Sequence, residues 1–366
     1  MSYFDASIPW AIQPEHLIRL DALAAEHMKA SAGNLQAAAQ HAPRAHASAP
    51  AVHDGVAVIE LTGPLTKGFS WVTAIMGGTS MQQAGAQIEL AAADPAVKGI
   101  MLYIDSPGGT VDGTENLARV IREAGASKPV VALAGGTIAS AAYWVGSAAS
   151  AVYLESGTTM AGSIGVVSKH VDISALEARV GIKTTEITSG KFKRIASMHE
   201  PLSDAGRSSI QAQLDHVYGL FVHAVAEHRG ATVQAVLDRM ADGRVFIGHQ
   251  AIDAGLADGF ATPALVMASL RAGRTPKPTP KPERKAMTNH EIKQAAVAEV
   301  GPNGTPEQYQ AAMDRLMASN PATSTPEPRC PTTGLTLEEK VEKAQAHAQE
   351  HGTDLVTALK VLGYAK

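Results

Sequence analysis

A chain of 366 residues with 45% hydrophobic and 18% charged residues can form one large domain with a sizeable core plus extra segments. A net charge of −4 excludes the global basic field of a nucleic-acid-binding protein, and 4% aromatic residues amid abundant Ala and Gly favour close element packing over aromatic clusters. The single cysteine, Cys330, excludes an intrachain disulfide framework and fits a reducing, cytoplasmic compartment. The opening Met1–Leu20 has no basic stretch followed by an apolar one, so no secretory signal is expected.

In chain order, residues 1–54 read as an N-terminal helix and linker. Leu17, Ile18, Leu20 and Leu23 form the apolar stripe of a predicted helix over Pro14–Ala30. Ser31–Pro50 is rich in Ala, His, Ser and Pro, and its His41 and His46 read as solvated linker residues. A globular domain is expected over 55–270. Gly55–Leu61 is a predicted strand, Ser80–Ala93 a helix, Gly99–Ile104 a buried strand and Asp105–Gly109 a turn. A helix over Gly113–Ala124 leads to Lys128–Leu154, which has no charge after its first residue. A membrane span is one reading of that stretch. Its glycines, serines and threonine argue instead for a strand at Pro129–Ala134, a turn at Gly135 and Gly136, a helix opening near Ser140 and a strand at Ala151–Leu154. Further on are a helix over Ile173–Val180, a strand over Thr184–Ile187 and a long helix over Ser203–Arg229. A short helix over Val233–Met240 leads to Ala241–Gly259, and the fold ends near Leu270. Strands alternating with helices indicate an α/β domain with a parallel sheet.

Arg271–Lys285 holds four prolines and six basic residues against one acid, so 271–286 reads as a stiff, extended linker. Residues 287–366 read as a helical, partly disordered tail. Thr336–Glu339 has a capping-box pattern, and Leu355, Val356, Leu359 and Leu362 make an apolar stripe. These segments are too small to bury a core alone, which suits an assembly or partner-binding tail.

Strand C-terminal ends of a parallel sheet lie at one edge, where sites form. Ser140, between a strand and a helix, is placed there to act as a nucleophile. N–H groups from Gly108, Gly109 and Ala141 could stabilise an oxyanion beside it. The G-x-S-x-G pattern is absent; Ala161–Gly165 (AGSIG) comes nearest. A serine nucleophile needs a base. His170 and His199 are the nearest histidines. Lys191 and Lys193 lie in the basic stretch Thr188–Ser197, where no acid sits between them. A lysine base must drop about 3 units from ~10.4, or ~4 kcal/mol, through burial and freedom from a carboxylate partner. Charge alone does not choose between the two lysines.

Five segments, Asp105–Gly109 (DSPGG), Ala139–Tyr143 (ASAAY), Gly162–Val166 (GSIGV), Thr188–Lys193 (TSGKFK) and Ala241–Gly248 (ADGRVFIG), together resemble peptidase family S49. That family comprises the signal peptide peptidase A group and the head-maturation proteases of tailed phages. The resemblance implies a ClpP/crotonase-like spiral of β-β-α units, followed here by the proline-rich linker and helical tail. It implies a Ser–Lys dyad of Ser140 and Lys193, a lysine-orienting Ser163, and an oxyanion loop at Gly108 and Gly109. Neither cofactor nor metal is expected. The family often has Ser-Gly-Gly where this chain has Ser140-Ala141-Ala142, and a positive φ at Ala141 would be disfavoured. The Pro9–Ile12 opening and the linker-plus-tail layout resemble phage members. Expected partners are copies of the chain itself, capsid, scaffold and portal-associated proteins, and peptide substrates, without nucleic acid or membrane. The expected location is the host cytoplasm or the inside of a procapsid. A cytoplasmic bacterial peptidase, an acyl-thioester enzyme on the same fold and an inactive assembly protein are the competing readings. His347–His351 matches H-x-x-E-H, yet lacks an evident third ligand and reads as a solvated helix surface.

Overall fold

Residues 9–13, 15, 16, 22, 49–68, 78–277, 289–301 and 305–318 are described by the computed structural model of the chain. The apolar run Trp10–Ile12 forms β1. β2 (Ala51–His53) turns into β3 (Val56–Thr62), and β4 (Leu65–Thr66) follows. β5 (Thr79–Ser80) ends where α1 (Met81–Ala93) begins, because the Ser80 hydroxyl accepts the Gln83 N–H and caps the helix. A similar run follows with one strand fewer: β6 (Gly99–Ser106), β7 (Gly108–Thr110) and α2 (Thr114–Ser127). β8 (Val130–Ala139) runs into α3 (Ala141–Ser147), then β9 (Ala151–Leu154) and β10 (Met160–Gly162). Helices α4 (Ser174–Arg179), α5 (Asp204–Arg229) and α6 (Val233–Arg239) come next. β11 (Val245–Ile247), α7 (His249–Ala254), β12 (Gly259–Phe260) and α8 (Pro263–Arg271) complete this part.

The large sheet has the order β11-β10-β8-β6-β3-β2, with β9 on β8 and β12 on β9. Its centre is parallel, and antiparallel pairs stand at the ends, β2 on β3 and β11 on β10. A smaller sheet has the order β1-β7-β4-β5. The architecture is therefore mixed α/β with parallel strands, as the alternation of elements implied. Alternate residues of β6 reach opposite faces: Ile100, Leu102 and Ile104 join the main core with Ile59, Leu61, Ile88 and Ile121. Met101 joins Val131, Leu133, Tyr153, Val266 and Leu270 on the other face. Burial on both faces explains why the central strands are continuously apolar. Arg229 of α5 grips Asp258 with two hydrogen bonds of 3.0 and 2.7 Å, and Asp258 also accepts the Val152 N–H.

The chain divides into two compact units, Met1–Pro280 and Lys281–Lys366. In the second, α9 (Asn289–Val300) packs on α10 (Pro306–Ala318). Among the described residues, no helix is long and apolar enough to cross a membrane.

Three local expectations are corrected. Gly135 and Gly136 do not turn the chain; β8 continues through them to Ala139. They are needed for close approach, since a methyl at Gly135 would lie 2.2 Å from the Tyr103 hydroxyl and one at Gly136 2.7 Å from the Asp105 carboxylate. Part of the expected turn Asp105–Gly109 is strand, because Gly108 and Gly109 pair with β1. Thr184–Ile187 forms no strand: among the described residues no neighbouring strand pairs with it. Most of the expected helix over 14–30, the linker over 31–48, Cys330, the capping box at Thr336 and the His347–His351 pattern lie outside the described residues.

Candidate active site

β8 ends at Ala139 and α3 starts at Ala141, so Ser140 alone makes the corner. Its backbone has φ 54 and ψ −122. A positive φ is uncommon for a residue with a Cβ, and such strain costs about 1–3 kcal/mol. Hydrogen bonds hold it there: the Ser140 N–H donates to Gly162 O at 2.8 Å, and Trp144 N–H donates to Ser140 O at 2.9 Å. This strained strand-to-helix corner is the geometry that G-x-S-x-G sequences make, reached here with alanines on both sides. The positive φ falls on Ser140 and not on Ala141, so the Ser-Ala-Ala sequence carries no penalty at its second position. Ala141 opens the helix, where an N–H has no partner in its own helix.

The glycine loop stands directly against this corner. Gly108 has φ 108, and a methyl there would lie 2.9 Å from the Ser140 Cβ. Its N–H donates to the Ser106 hydroxyl at 3.2 Å. Gly109 packs on Leu65, whose carbonyl oxygen a methyl would meet at 1.8 Å. On the other side, Ser163 is buried with φ 51, and its N–H donates to Arg244 O at 2.6 Å. It directly follows Gly162, the residue that accepts the Ser140 N–H. The Ser140 hydroxyl donates to Gly165 O at 3.4 Å. Ser140, Gly108, Ala141 and the stretch from Gly162 to Gly165 are thus brought together.

Lys193 is not brought to them within one chain. It is exposed in the turns over 191–196, with its N–H on Gly190 O at 3.1 Å. Among the described residues no hydrogen bond or ion pair reaches its ammonium group. Lys191 is also exposed and lies 5.1 Å from the Phe192 ring centroid. Arg194 takes up the nearby acids, Glu200 at 2.7 Å and Glu186 at 3.4 Å. The two candidate histidines are engaged elsewhere: His170 Nε2 with Ser197 O at 2.9 Å, and His199 Nδ1 with Glu177 at 2.8 Å. A serine–histidine pair does exist, Ser147 with His228 at 2.9 Å. Ser147 is fully buried and its hydroxyl donates to Trp144 O at 2.8 Å. Burial pushes His228 down to about 4, so the ring is neutral at pH 7 and the pair ties α3 to α5.

Pro9–Gln13 also borders the site, a role the sequence reading missed. An apolar tripeptide with a tryptophan, between two prolines and far from the domain in sequence, was the available signal for an added strand.

The profile of Peptidase family S49 matches residues 122–275. The chain is 32% identical to capsid assembly protease C of Escherichia phage lambda over 328 residues, covering 86% of this chain and 73% of that protein. It is 36% identical to head-tail preconnector protein GP5 of Enterobacteria phage P21 over 207 residues, covering 57% of this chain and 41% of that one. It is 37% identical to putative protease MJ0651 of Methanocaldococcus jannaschii over 169 residues, covering 46% of this chain and 54% of that one.

Proposed function

The chain belongs to peptidase family S49, and on that premise we propose that it is a serine endopeptidase with Ser140 as nucleophile and Lys193 as base. The observation that carries the reading is the strained corner at Ser140, set against Gly108. A neutral Lys193 amine takes the hydroxyl proton as Oγ attacks a peptide carbonyl. N–H groups around Gly108, Gly109 and Ala141 receive the oxyanion, with Gly108 turning its N–H away from Ser106. Collapse of the tetrahedral adduct expels the amine, which takes the proton from Lys193. Water, deprotonated by the same lysine, then attacks the acyl group; the acyl C–O bond breaks, and the protonated lysine returns its proton to Ser140 Oγ, restoring both groups. Ser163, next to the residue that anchors Ser140, orients the lysine.

The lysine must lose water to do this. Its segment carries exposed Leu176, Val180, Ile182, Ile187 and Phe192, an apolar stretch that a second copy of the chain would cover. That contact would dehydrate Lys193 and set it over a Ser140, so the active form is a homo-oligomer. The repeated step of long strand, short strand and helix (β3-β4, then β5 into α1; β6-β7-α2) supports a ClpP/crotonase-like spiral.

The peptidase domain is 55–270, completed by β1 and β2 from the residues before it, with 271–286 as linker and 287–366 as a scaffold-like tail. The names of the lambda and P21 relatives support substrates among capsid, scaffold and portal-associated precursors, including the chain's own tail. The setting is then the host cytoplasm or a procapsid.

The test is intact-mass analysis of the wild-type chain, Ser140→Ala and Lys193→Ala. Loss of the tail near 271–333 in wild type alone is the expected result. Processing that survives Ser140→Ala would sink the nucleophile assignment. Processing that survives Lys193→Ala would pass the base to Lys191 or a histidine.

A further inference from the structure

We infer that Pro9–Gln13 is an internal occupant of the peptide groove, lying where a substrate strand must lie and competing with substrates within the same chain. The inference rests on Ser140 as the peptidase nucleophile.

The segment is bound as an extended peptide from both sides. Against β7 it pairs antiparallel, Trp10 opposite Thr110, Ala11 opposite Gly109 and Ile12 opposite Gly108. At its ends Val111 N–H donates to Pro9 O at 3.4 Å, and Gln13 N–H donates to Pro107 O at 3.1 Å. On the opposite side Trp10 exchanges two hydrogen bonds of 2.9 Å with Val167. Odd residues thus turn their polar backbone to the glycine loop, and Trp10 turns its own to Val167. Strand addition of this kind is how proteins take up extended peptides, with affinity from main-chain hydrogen bonds.

Both walls belong to the nucleophile. One hypothetical methyl, on Gly108, would lie 2.2 Å from Ala11 O, 3.0 Å from the Ile12 Cα and 2.9 Å from the Ser140 Cβ. The opposite wall begins at Gly165, whose carbonyl accepts the Ser140 hydroxyl two residues before Val167. A peptide presented to Ser140 between these walls would meet Ala11 and Ile12 already there. Gly108 needs to be glycine because a backbone passes at that distance.

The segment is buried but short. Trp10, Ala11, Ile12 and Gln13 are all buried, yet the strand has three residues. Among the described residues the Gln13 side-chain oxygen is buried without a hydrogen-bond partner, which favours exchange for a better-satisfied strand. A tethered competitor raises the KM for a peptide substrate and leaves kcat unchanged, because saturating substrate displaces it.

Two readouts separate this inference from the peptidase reading. The first is binding of a fluorescent peptide with the sequence Ser7–Glu15 to the Ser140→Ala chain, full-length and lacking residues 1–13. The expected result is about ten-fold or greater tightening on truncation. Full-length Ala11→Pro, which removes an N–H facing the glycine loop, should tighten binding in the same direction and serves if the truncated chain fails to fold. Equal binding by the opened and unopened chains, or none by an opened chain with a cooperative unfolding transition, overturns the inference. The second readout is hydrolysis by the Ser140 chain. A KM that falls on truncation or Ala11→Pro with kcat unchanged supports the inference, and an unchanged KM overturns it while leaving the peptidase intact. Tighter binding without any hydrolysis would uphold the groove occupant and remove the peptidase.

Discussion

Ser140 and Lys193 sit in opposite physical settings. Ser140 is buried at a corner fixed by hydrogen bonds on both flanks, inside a sheet packed on two faces. Lys193 lies in exposed turns between Thr184–Ile187, which lacks a strand partner among the described residues, and Arg194, which is tied to flanking acids. Ile187 is 95% exposed and Phe192 55%, whereas no residue of α3 is exposed. A strained backbone persists only where its surroundings over-determine it, so the proposed nucleophile is built inside one core. A base on a long, weakly packed segment can be set by whatever surface covers that segment. One chain therefore suffices to shape the serine corner, and on the proposed function assembly would be what shapes the lysine.

The largest effect that sharpens this contrast is on stability. Arg229→Leu leaves Asp258 without its bidentate partner beneath the nucleophile half, at 11% and 30% side-chain exposure for the pair. Breaking such a pair costs about 3 kcal/mol, and Tm should fall by about 6 °C or more. Lys193→Ala should leave Tm where it was while removing activity, since an exposed side chain changes stability by less than about 0.5 kcal/mol. Scanning calorimetry of both variants checks the pair, and a Tm loss in Lys193→Ala would show the lysine segment to be as tightly held as the serine.

A smaller effect should appear in activity. Ile187→Glu places a charge on the exposed apolar stretch and opposes its burial by a second copy. The expected result is about a ten-fold loss of rate at low protein concentration, equivalent to ~1.4 kcal/mol, relieved as concentration rises. Sedimentation and rate measurements over a dilution series check it. A rate per chain that is independent of concentration in both proteins would mean that one chain supplies its own base.

The sequence made the buried half legible and the exposed half less so. Gly99–Ile104 and Ala151–Leu154 were readable because burial on both faces leaves nothing but apolar side chains. The helices over Ser80–Ala93 and Ser203–Arg229 were readable from their apolar pattern, and in the structure Ser80 and Ser203 cap them. Gly135 and Gly136 misled because glycine serves both for turning and for close approach, and only the neighbouring Tyr103 and Asp105 distinguish the two. The positive φ at Ser140 left no mark, since Ala139 and Ala141 replace the glycines that usually accompany it. Thr184–Ile187 has strand-like composition, but a strand needs a partner that its own sequence does not name. Pro9–Ile12 was noticed only as a likeness to phage relatives, because its partners Gly108–Thr110 lie far away in the chain.

The smallest effect tests the strain itself. Ser140→Ala and Ser140→Gly both remove the hydroxyl, so their difference reports the backbone alone. At φ 54, alanine keeps the strain of a Cβ in a disfavoured region and glycine releases it. Releasing about 1–3 kcal/mol of strain, less about 0.5–1 kcal/mol for the greater freedom of glycine in the unfolded chain, leaves glycine ahead by about 1 kcal/mol. The control is Ala139→Gly, one residue earlier in the regular part of β8, where the same change should destabilise. Chemical denaturation of the three variants gives the comparison. If Ser140→Gly is no more stable than Ser140→Ala, the corner stores no strain, and the difference between the two halves of the site reduces to burial. If glycine wins at 140 and loses at 139, the fold holds its serine against a cost that only a rigid surrounding can bear, a condition that the Lys193 segment of one chain does not meet.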